Sequence, residues 1–348
     1  MSALTIGGLR VEGQVFLAPM AGVTTSPFRL LARRFGASLV YSEMISANGV
    51  AYNNKKTKTI AHVVPSEHPV AIQIFGSDPK NMAVGARFVC EAGADIVDIN
   101  MGCPQTVIVR GGNGAGVALM ARPQRAREVI KAVVGASSVP VTVKMRSGWK
   151  SVNALEIAAA AQEEGAAAVT VHPRTGVQGF GGLADWNIIE QVKASVDVPV
   201  IGSGDLFGPG DGQRMMAQTG CDAIMYARGV KGAPWEIGRA RALLEGRPVP
   251  SPPDLEERVV MLKGLARGMA EWQREAFTRF SVHESGYETR ALCEMRKFVF
   301  WFLKGLPKWI VDRQRLYGVR TMDEFDAFLD SACADFEAKR GDGPRGAS

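Results

Sequence analysis

The sequence is poor in the residues that build metal clusters and covalent frameworks. It holds four histidines, at 62, 68, 172 and 283, and five cysteines, at 90, 103, 221, 293 and 333. The cysteine number is odd and no two cysteines stand at CxxC spacing, so neither a disulfide framework nor a zinc site is expected. Reduced thiols in a reducing compartment follow. No apolar run is long enough to span a bilayer. Residues 1–14 lack the charged start and continuous apolar stretch of a secretory signal. The expectation is a cytoplasmic chain with no membrane and no metal.

What is present is ordinary for a globular protein: 348 residues, 46% hydrophobic and 22% charged. That length suits one large barrel-type domain plus a smaller one. The net charge of +6 favours an acidic partner. Its distribution says more. Residues 290–320 carry eight Lys/Arg against two Asp/Glu, matching the imbalance of the whole chain, with Trp301, Trp309 and Tyr317 interleaved. Nucleic acid suits this pattern, because phosphates need cations and bases stack on aromatic faces. A solvated helix face with its aromatics in the core gives the same pattern, and composition does not choose between them.

Short apolar, β-branched runs recur at 15–19, 39–41, 70–74, 96–100, 141–144, 168–172, 200–202 and 223–226. Runs of this kind predict parallel strands buried on both faces. Helix starts lie between them at Asp78-Pro79, Arg122-Pro123 and Gly208-Pro209, where proline suits the first helical turn. The alanine-rich segment 154–164 is strongly helix-forming. Eight βα units fit a closed (β/α)8 TIM barrel better than an open sheet. An open doubly wound sheet would want a GxGxxG turn after the first strand, and Pro19-Met20-Ala21-Gly22 is not one. The predicted organisation is a barrel over 1–246, a stiff proline-rich linker over 247–254 and a C-terminal helical domain over 255–340. A disordered tail over 341–348 ends the chain. Helical periodicity covers 255–272, 290–304 and 322–338.

Chemistry in such a barrel sits at the C-terminal strand ends. Those ends are polar here: Gln73, Asn100 with Cys103 just after it, Lys144, His172 with Arg174, Gly202-Ser203-Gly204-Asp205, and Ala227-Arg228-Gly229. Singly, each is more often a snorkelling or structural residue. Their convergence on one face is what points to a site. Loops after the seventh and eighth strands commonly bind phosphate; glycines let backbone N–H groups approach, and Arg228 adds a bidentate cation. Pro234 is expected to open a short helix that adds partial positive charge. A mononucleotide phosphate fits there. Lys144 would stabilise a reduced anionic flavin, and Gln73 would read the ring's edge.

Cys103 is followed by Pro104 and then by the glycine-rich residues 111–116, a setting that predicts a mobile loop at the barrel mouth. Buried cysteine usually behaves as a small hydrophobe. A thiol is mostly protonated at neutral pH and can act as a general acid. A nucleophile is the weaker reading, since no His or Asp is an obvious activating partner in sequence.

Taken together, these residues make the chain resemble the tRNA-dihydrouridine synthases, most of all their bacterial B-type or NifR3-like branch. The resemblance runs over roughly residues 6–329. It is carried by LAPMAGVT at 17–24, YSEM at 41–44, QIFG at 73–76, DINMGCP at 98–104, KMR at 144–146, HPRT at 172–175, ADW at 184–186, EMRK at 294–297 and LKGLP at 303–307. It implies FMN, with NADPH as reductant, and reduction of the C5–C6 double bond of a uridine in tRNA. Hydride would go to C6 and the proton from Cys103 to C5. Position by position, Pro19, Met20, Ala21, Gln73, Lys144, His172, Ser203, Gly204, Asp205, Ala227 and Arg228 would line the FMN site. Asn100 and Arg174 would neighbour flavin or substrate. The basic helical segment, with Arg296 and Lys297, would hold the tRNA. Three departures stand out. Residues 105–109 replace the family's lysine-bearing segment in a longer loop. Ser203 replaces an asparagine. Gly176 replaces the arginine that usually follows His-x-Arg-Thr. The competing expectations are an FMN barrel reducing a small unsaturated substrate, and an inactive RNA-binding barrel.

Overall fold

The computed structural model describes residues 3–110, 114–307 and 310–341. Strands β1 (Ala3–Ile6) and β2 (Leu9–Glu12) form an antiparallel hairpin. The remaining strands are β3 (Val15–Leu17), β4 (Leu39–Tyr41), β5 (Ile45–Ser46), β6 (Val70–Phe75), β7 (Ile96–Met101), β8 (Val141–Gly148), β9 (Ala168–Thr175), β10 (Val200–Ser203) and β11 (Ala223–Tyr226). Eight of these close a parallel barrel in the order β4-β3-β11-β10-β9-β8-β7-β6, with β6 pairing back on β4 and β5 extending along β6.

Two layers of core follow from the two-residue alternation of strands. Val97, Ile99, Met101, Val143, Met145, Val169 and Val171 face outward against the helices. The alternate positions face the barrel axis, and their chemistry changes along it. At the N-terminal end, Phe16, Leu39, Ile96, Ala168, Ile201 and Ala223 form an apolar plug with Ile6 and Val11 of the hairpin. Gly7 and Gly8, at φ of 54° and 92°, supply the two-residue turn that hairpin needs. One step higher the inward residues are Tyr41, Asp98, Thr142 and Thr170, all fully buried. One step higher again stand Gln73, Asn100, Lys144, His172 and Ser203. The barrel is apolar at the bottom and polar at the top, which places the chemistry.

The eight barrel strands lie where the apolar runs predict them, except that β3 ends at Leu17, short of the predicted 19. β6 and β7 run one residue further than predicted, to Phe75 and Met101, and β8, β9 and β10 run one to four further, where polar residues such as Arg146, Arg174 and Ser203 continue the ladder past the apolar run. The hairpin and β5 are additions; their short, partly exposed strands leave little apolar signal.

Beyond the barrel, helices cover Leu255–Arg279, Tyr287–Phe302, Arg313–Gly318 and Met322–Gly341. The first is opened by a reciprocal cap between Asp254 and Glu257, each donating its N–H to the other's carboxylate at 2.9 Å. It outruns its predicted end at 272 because Gln273, Ala276 and Phe277 continue the buried stripe. The second starts at Tyr287 rather than 290, after Gly286 turns left-handed at φ 74°. The last reaches Gly341, so that residue belongs to a helix and not to the expected tail; residues 342–348 lie outside the described residues, as do Lys308 and Trp309 of the basic stretch. These helices pack on the barrel through Phe28 against Phe298 (ring centroids 5.7 Å apart) and Trp235 edge-on to Phe302 (5.8 Å). Trp272 Nε1 also donates to the His62 carbonyl at 3.2 Å. No helix among the described residues is long and apolar enough to cross a membrane.

Candidate active site

A cavity of about 320 Å³ opens at the C-terminal ends of the barrel strands. Its lining includes every residue predicted for a cofactor: Pro19, Met20, Ala21, Gln73, Lys144, His172, Ser203, Gly204, Asp205, Ala227 and Arg228. Asn100 and Cys103 line it too.

One end is built by the loops after β10 and β11. Gly204 sits at φ 112°, and a Cβ there would lie 2.9 Å from His172 Cδ2, so only glycine lets the backbone approach this closely. Ser203 turns its hydroxyl away to the Met225 carbonyl at 3.0 Å. Asp205, itself left-handed at φ 56°, is gripped by Arg174 through two bonds of 2.8 and 2.7 Å and by the Ala184 N–H at 2.8 Å. Burial opposes the charged carboxylate, but these donors outweigh it and hold Asp205 below the usual carboxylate range. Arg228 lies 4.4 Å from the Phe180 ring centroid and 5.6 Å from that of Phe207. Arg174 is 2% exposed and lies outside the lining. It acts on the cavity by fixing Asp205 and the Gly181 and Gly182 carbonyls.

The floor is cationic. The Lys144 ammonium makes no hydrogen bond among the described residues; burial lowers its pKa, with Asp98 opposing. Burial raises Asp98 in turn. His172 is driven down to about 2, first by burial and then by Lys144, Arg146, Arg174 and Arg228. It is therefore neutral at any working pH.

Cys103 stands at the opposite side. The expected mobile loop is instead a turn pinned from several directions. The N–H groups of Gly102 and Cys103 donate to Asn100 Oδ1 at 3.1 and 3.0 Å. Arg146 Nε donates to the Gly102 carbonyl at 2.7 Å, and the Val117 N–H donates to the Cys103 carbonyl at 3.1 Å. Gly116 makes the last contact possible, since a Cβ there would fall 2.5 Å from that carbonyl oxygen. Residues 111–113 of the glycine-rich segment lie outside the described residues. Burial pushes the Cys103 thiol up, against the pull of the Gln105 N–H and Arg146, and keeps it protonated.

The remaining predicted residues fall elsewhere. The helix expected at Pro234 begins at Glu236, and none of 233–237 lines the cavity. Its start packs on the C-terminal helices instead: a Cβ on Gly232 would meet the Trp301 carbonyl at 2.2 Å. Arg296 turns to Tyr317, donating to its carbonyl at 3.0 Å and covering its ring at 4.9 Å. Lys297 turns the other way, to the barrel mouth, where its Nζ is 3.3 Å from the position a Cβ on Gly22 would take. Lys231 lies nearby, over the Trp301 ring at 5.3 Å. Sequence reasoning did not single out Asp98, Arg146, Met44, Phe180, Phe207 or Lys231. The signal for Asp98 and Arg146 was their place two residues before Asn100 and two after Lys144 on inward strand faces. Phe180, Phe207 and Lys231 sit in loops and left no periodic signal.

Residues 16–338 match the family model described as dihydrouridine synthase. A probable tRNA-dihydrouridine synthase of Rhodobacter capsulatus is 40% identical over 73% of this chain and 79% of its own length. The tRNA-dihydrouridine synthase B of Xanthomonas axonopodis is 38% identical over 94% of this chain and 97% of its own. Morphinone reductase superposes with a TM-score of 0.52 at 15% identity, covering 72% of this chain and 90% of its own, a likeness of fold alone.

Proposed function

The chain belongs to the dihydrouridine synthase family, and on that premise we propose that it binds FMN in the barrel mouth and reduces the C5–C6 double bond of a uridine in tRNA, with NADPH as reductant. The observation that carries the reading is a protonated, pinned thiol facing a cationic, glycine-lined cleft.

The residues present fit the cofactor. The close backbone approach at Gly204 and the guanidinium of Arg228 suit a phosphate. Lys144 has an ammonium without a hydrogen-bond partner among the described residues, suited to an anionic reduced ring. The Gln73 carboxamide suits the ring's donor and acceptor edge. FMN, when bound, supplies the reducing equivalents. Everything else falls to the chain. Cys103 delivers the proton to C5, and burial keeps it in the acid form that this role requires. Neutral His172 offers hydrogen bonds without adding to the cation count.

Two of the three departures from the family pattern, at 105–109 and at Gly176, fall on the substrate side; Ser203 lies at the cofactor end. Gly176 is enforced by packing, because a Cβ would lie 2.8 Å from Trp149 Cδ1 and 2.9 Å from Val117 Cγ1. Val107 is 69% exposed on the loop that follows Cys103. RNA contacts here thus lean on the C-terminal layer, residues 255–340, beyond the 247–254 linker, with Lys297 turned to the mouth. This division is our proposal, as is a cytoplasmic setting.

The test is direct. Purified protein should be yellow with about one FMN per chain, and with NADPH it should form dihydrouridine in unmodified tRNA. A protein that neither holds nor takes up FMN refutes the reading. One that reduces free uracil or an enone but not tRNA replaces it with the small-substrate alternative.

A further inference from the structure

One continuous chain of hydrogen bonds runs from the barrel interior to the backbone of Cys103. Thr142 Oγ1 and Gln73 Nε2 each donate to Asp98, at 2.6 Å. Asn100 Nδ2 donates to Gln73 Oε1 at 2.7 Å. The N–H groups of Gly102 and Cys103 donate to Asn100 Oδ1. Asp98 is fully buried, and Gln73 is 1% exposed.

The chain has a polarity. Its upper end is two backbone N–H groups, which only donate. Its lower end is the Asp98 carboxyl: burial raises it to about 7, the Thr142 and Gln73 donors and the Lys144 charge favour the carboxylate, and in that form it only accepts. Between them lie two side-chain amides, each of which could face either way. With the carboxylate below, Gln73 must turn its NH2 down and its oxygen up. Asn100 must then do the same relative to Gln73, and its oxygen meets the turn. If Gln73 reverses, its NH2 faces the NH2 of Asn100. If Asn100 follows, its NH2 faces two N–H donors, and the turn that carries the thiol loses both bonds.

We propose that Asp98 is a positioning residue for Cys103: it orients two amides in series and thereby fixes the turn that presents the thiol to the cavity. The proposal rests on the reading of Cys103 as proton donor, but it concerns how the turn is held. An apolar residue at 98 would extend the plug below it, and would leave Gln73 Nε2 buried without an acceptor.

The test reads the thiol directly. Iodoacetamide labelling of the full chain, resolved by peptide mass, follows Cys103 with exposed Cys293 as internal reference. Asp98→Leu should raise Cys103 labelling relative to Cys293 by about tenfold as the turn loosens. The same variant should slow single-turnover dihydrouridine formation by about 10- to 100-fold, the scale of loss when a catalytic group is displaced by about an ångström. Asp98→Asn should bring both back to within about threefold, because its oxygen can face Gln73 while Thr142 reverses its hydroxyl to accept. Should Asp98→Leu not fold, Asp98→Asn combined with Thr142→Val serves, since it strands the introduced amide against a methyl group. Labelling should then rise well beyond the sum of the two single variants. Unchanged labelling in Asp98→Leu, an Asp98→Asn variant as loose as Asp98→Leu, or simple additivity in the pair overturns the proposal. Cys103→Ala separates the two readings: wild-type RNA turnover in that variant removes the acid role while the labelling result still judges the positioning one.

Discussion

Replacing Arg174 by methionine should destabilise the protein and do so through Asp205. The arginine is 2% exposed and its partner 19%, and two charge-assisted bonds join them. Removing one partner of a buried pair costs about 3–5 kcal/mol, because the other charge is left behind. Here the loss is softened. Asp205 keeps the Ala184 N–H at 2.8 Å and Arg228 at 3.4 Å, and it is partly in water. The low end, about 3 kcal/mol, is therefore expected for Arg174→Met. Asp205→Asn should cost about 2 kcal/mol, since the guanidinium retains the Gly181 and Gly182 carbonyls. The double variant should cost less than the sum, with a coupling of about 2 kcal/mol. Urea titration of the flavin-free protein, followed by tryptophan fluorescence, measures each value. Raising the salt should change the coupling less than for a surface pair, because a partly buried pair is screened less than an exposed one. Single costs below about 1 kcal/mol with no coupling, a surface pair's values, would refute the reasoning.

Further outcomes follow from the same geometry. His172 titrates at about 2 in the folded chain against 6.5 as an ordinary imidazole, so folding loses stability as pH falls below 6.5. About 2 kcal/mol should go between pH 6.5 and 5, and His172→Gln should remove that part of the slope in urea titrations at both pH values. A Gly204→Ala variant should retain flavin at least tenfold less tightly, roughly the effect of misplacing a phosphate cradle, in a flavin-release titration. Replacing Lys297 with glutamine should lower the slope of log affinity for tRNA against log salt by about one, whereas Arg296→Gln should act mainly on stability. An equal effect of the two on the slope would contradict the orientation of that helix. Cys103 should label more slowly than Cys293 from pH 7 to 9, since burial holds its thiol protonated.

The barrel was legible because parallel strands buried on both faces must be short and continuously apolar, and runs such as 168–172 have no other good reading. The cofactor residues were legible because polar groups at the ends of such runs need a reason. Three things were hidden. The hairpin at β1 and β2 buries only Ile6 and Val11 deeply, so its sequence shows little beyond two glycines. The pinning of Cys103 depends on Arg146, Val117 and Gly116, which reach it from other segments, and a glycine-rich stretch reads as loose when its close contacts are unseen. Asp98 looked like one residue of a motif; its partners Gln73 and Thr142 come from the flanking strands, and only the register Gln73 to Asp98 to Thr142 makes them a network. The basic stretch was half legible. Its charge pointed to RNA, yet Arg296, Arg313 and Arg315 lie over Tyr317, Phe300 and Phe328 within the helical layer. Lys297 is the residue of that stretch whose side chain reaches Gly22 at the mouth.

The central claim is that this chain reduces uridine in tRNA with Cys103 as acid. Nucleotide-resolved mapping of dihydrouridine in tRNA from cells lacking the gene, complemented with wild-type protein or with Cys103→Ala, tests it most directly. The account predicts a uridine that loses its modification without the gene, regains it with the wild type, and stays largely unmodified with the variant. Full restoration by Cys103→Ala, or an unchanged dihydrouridine map without the gene, would contradict it.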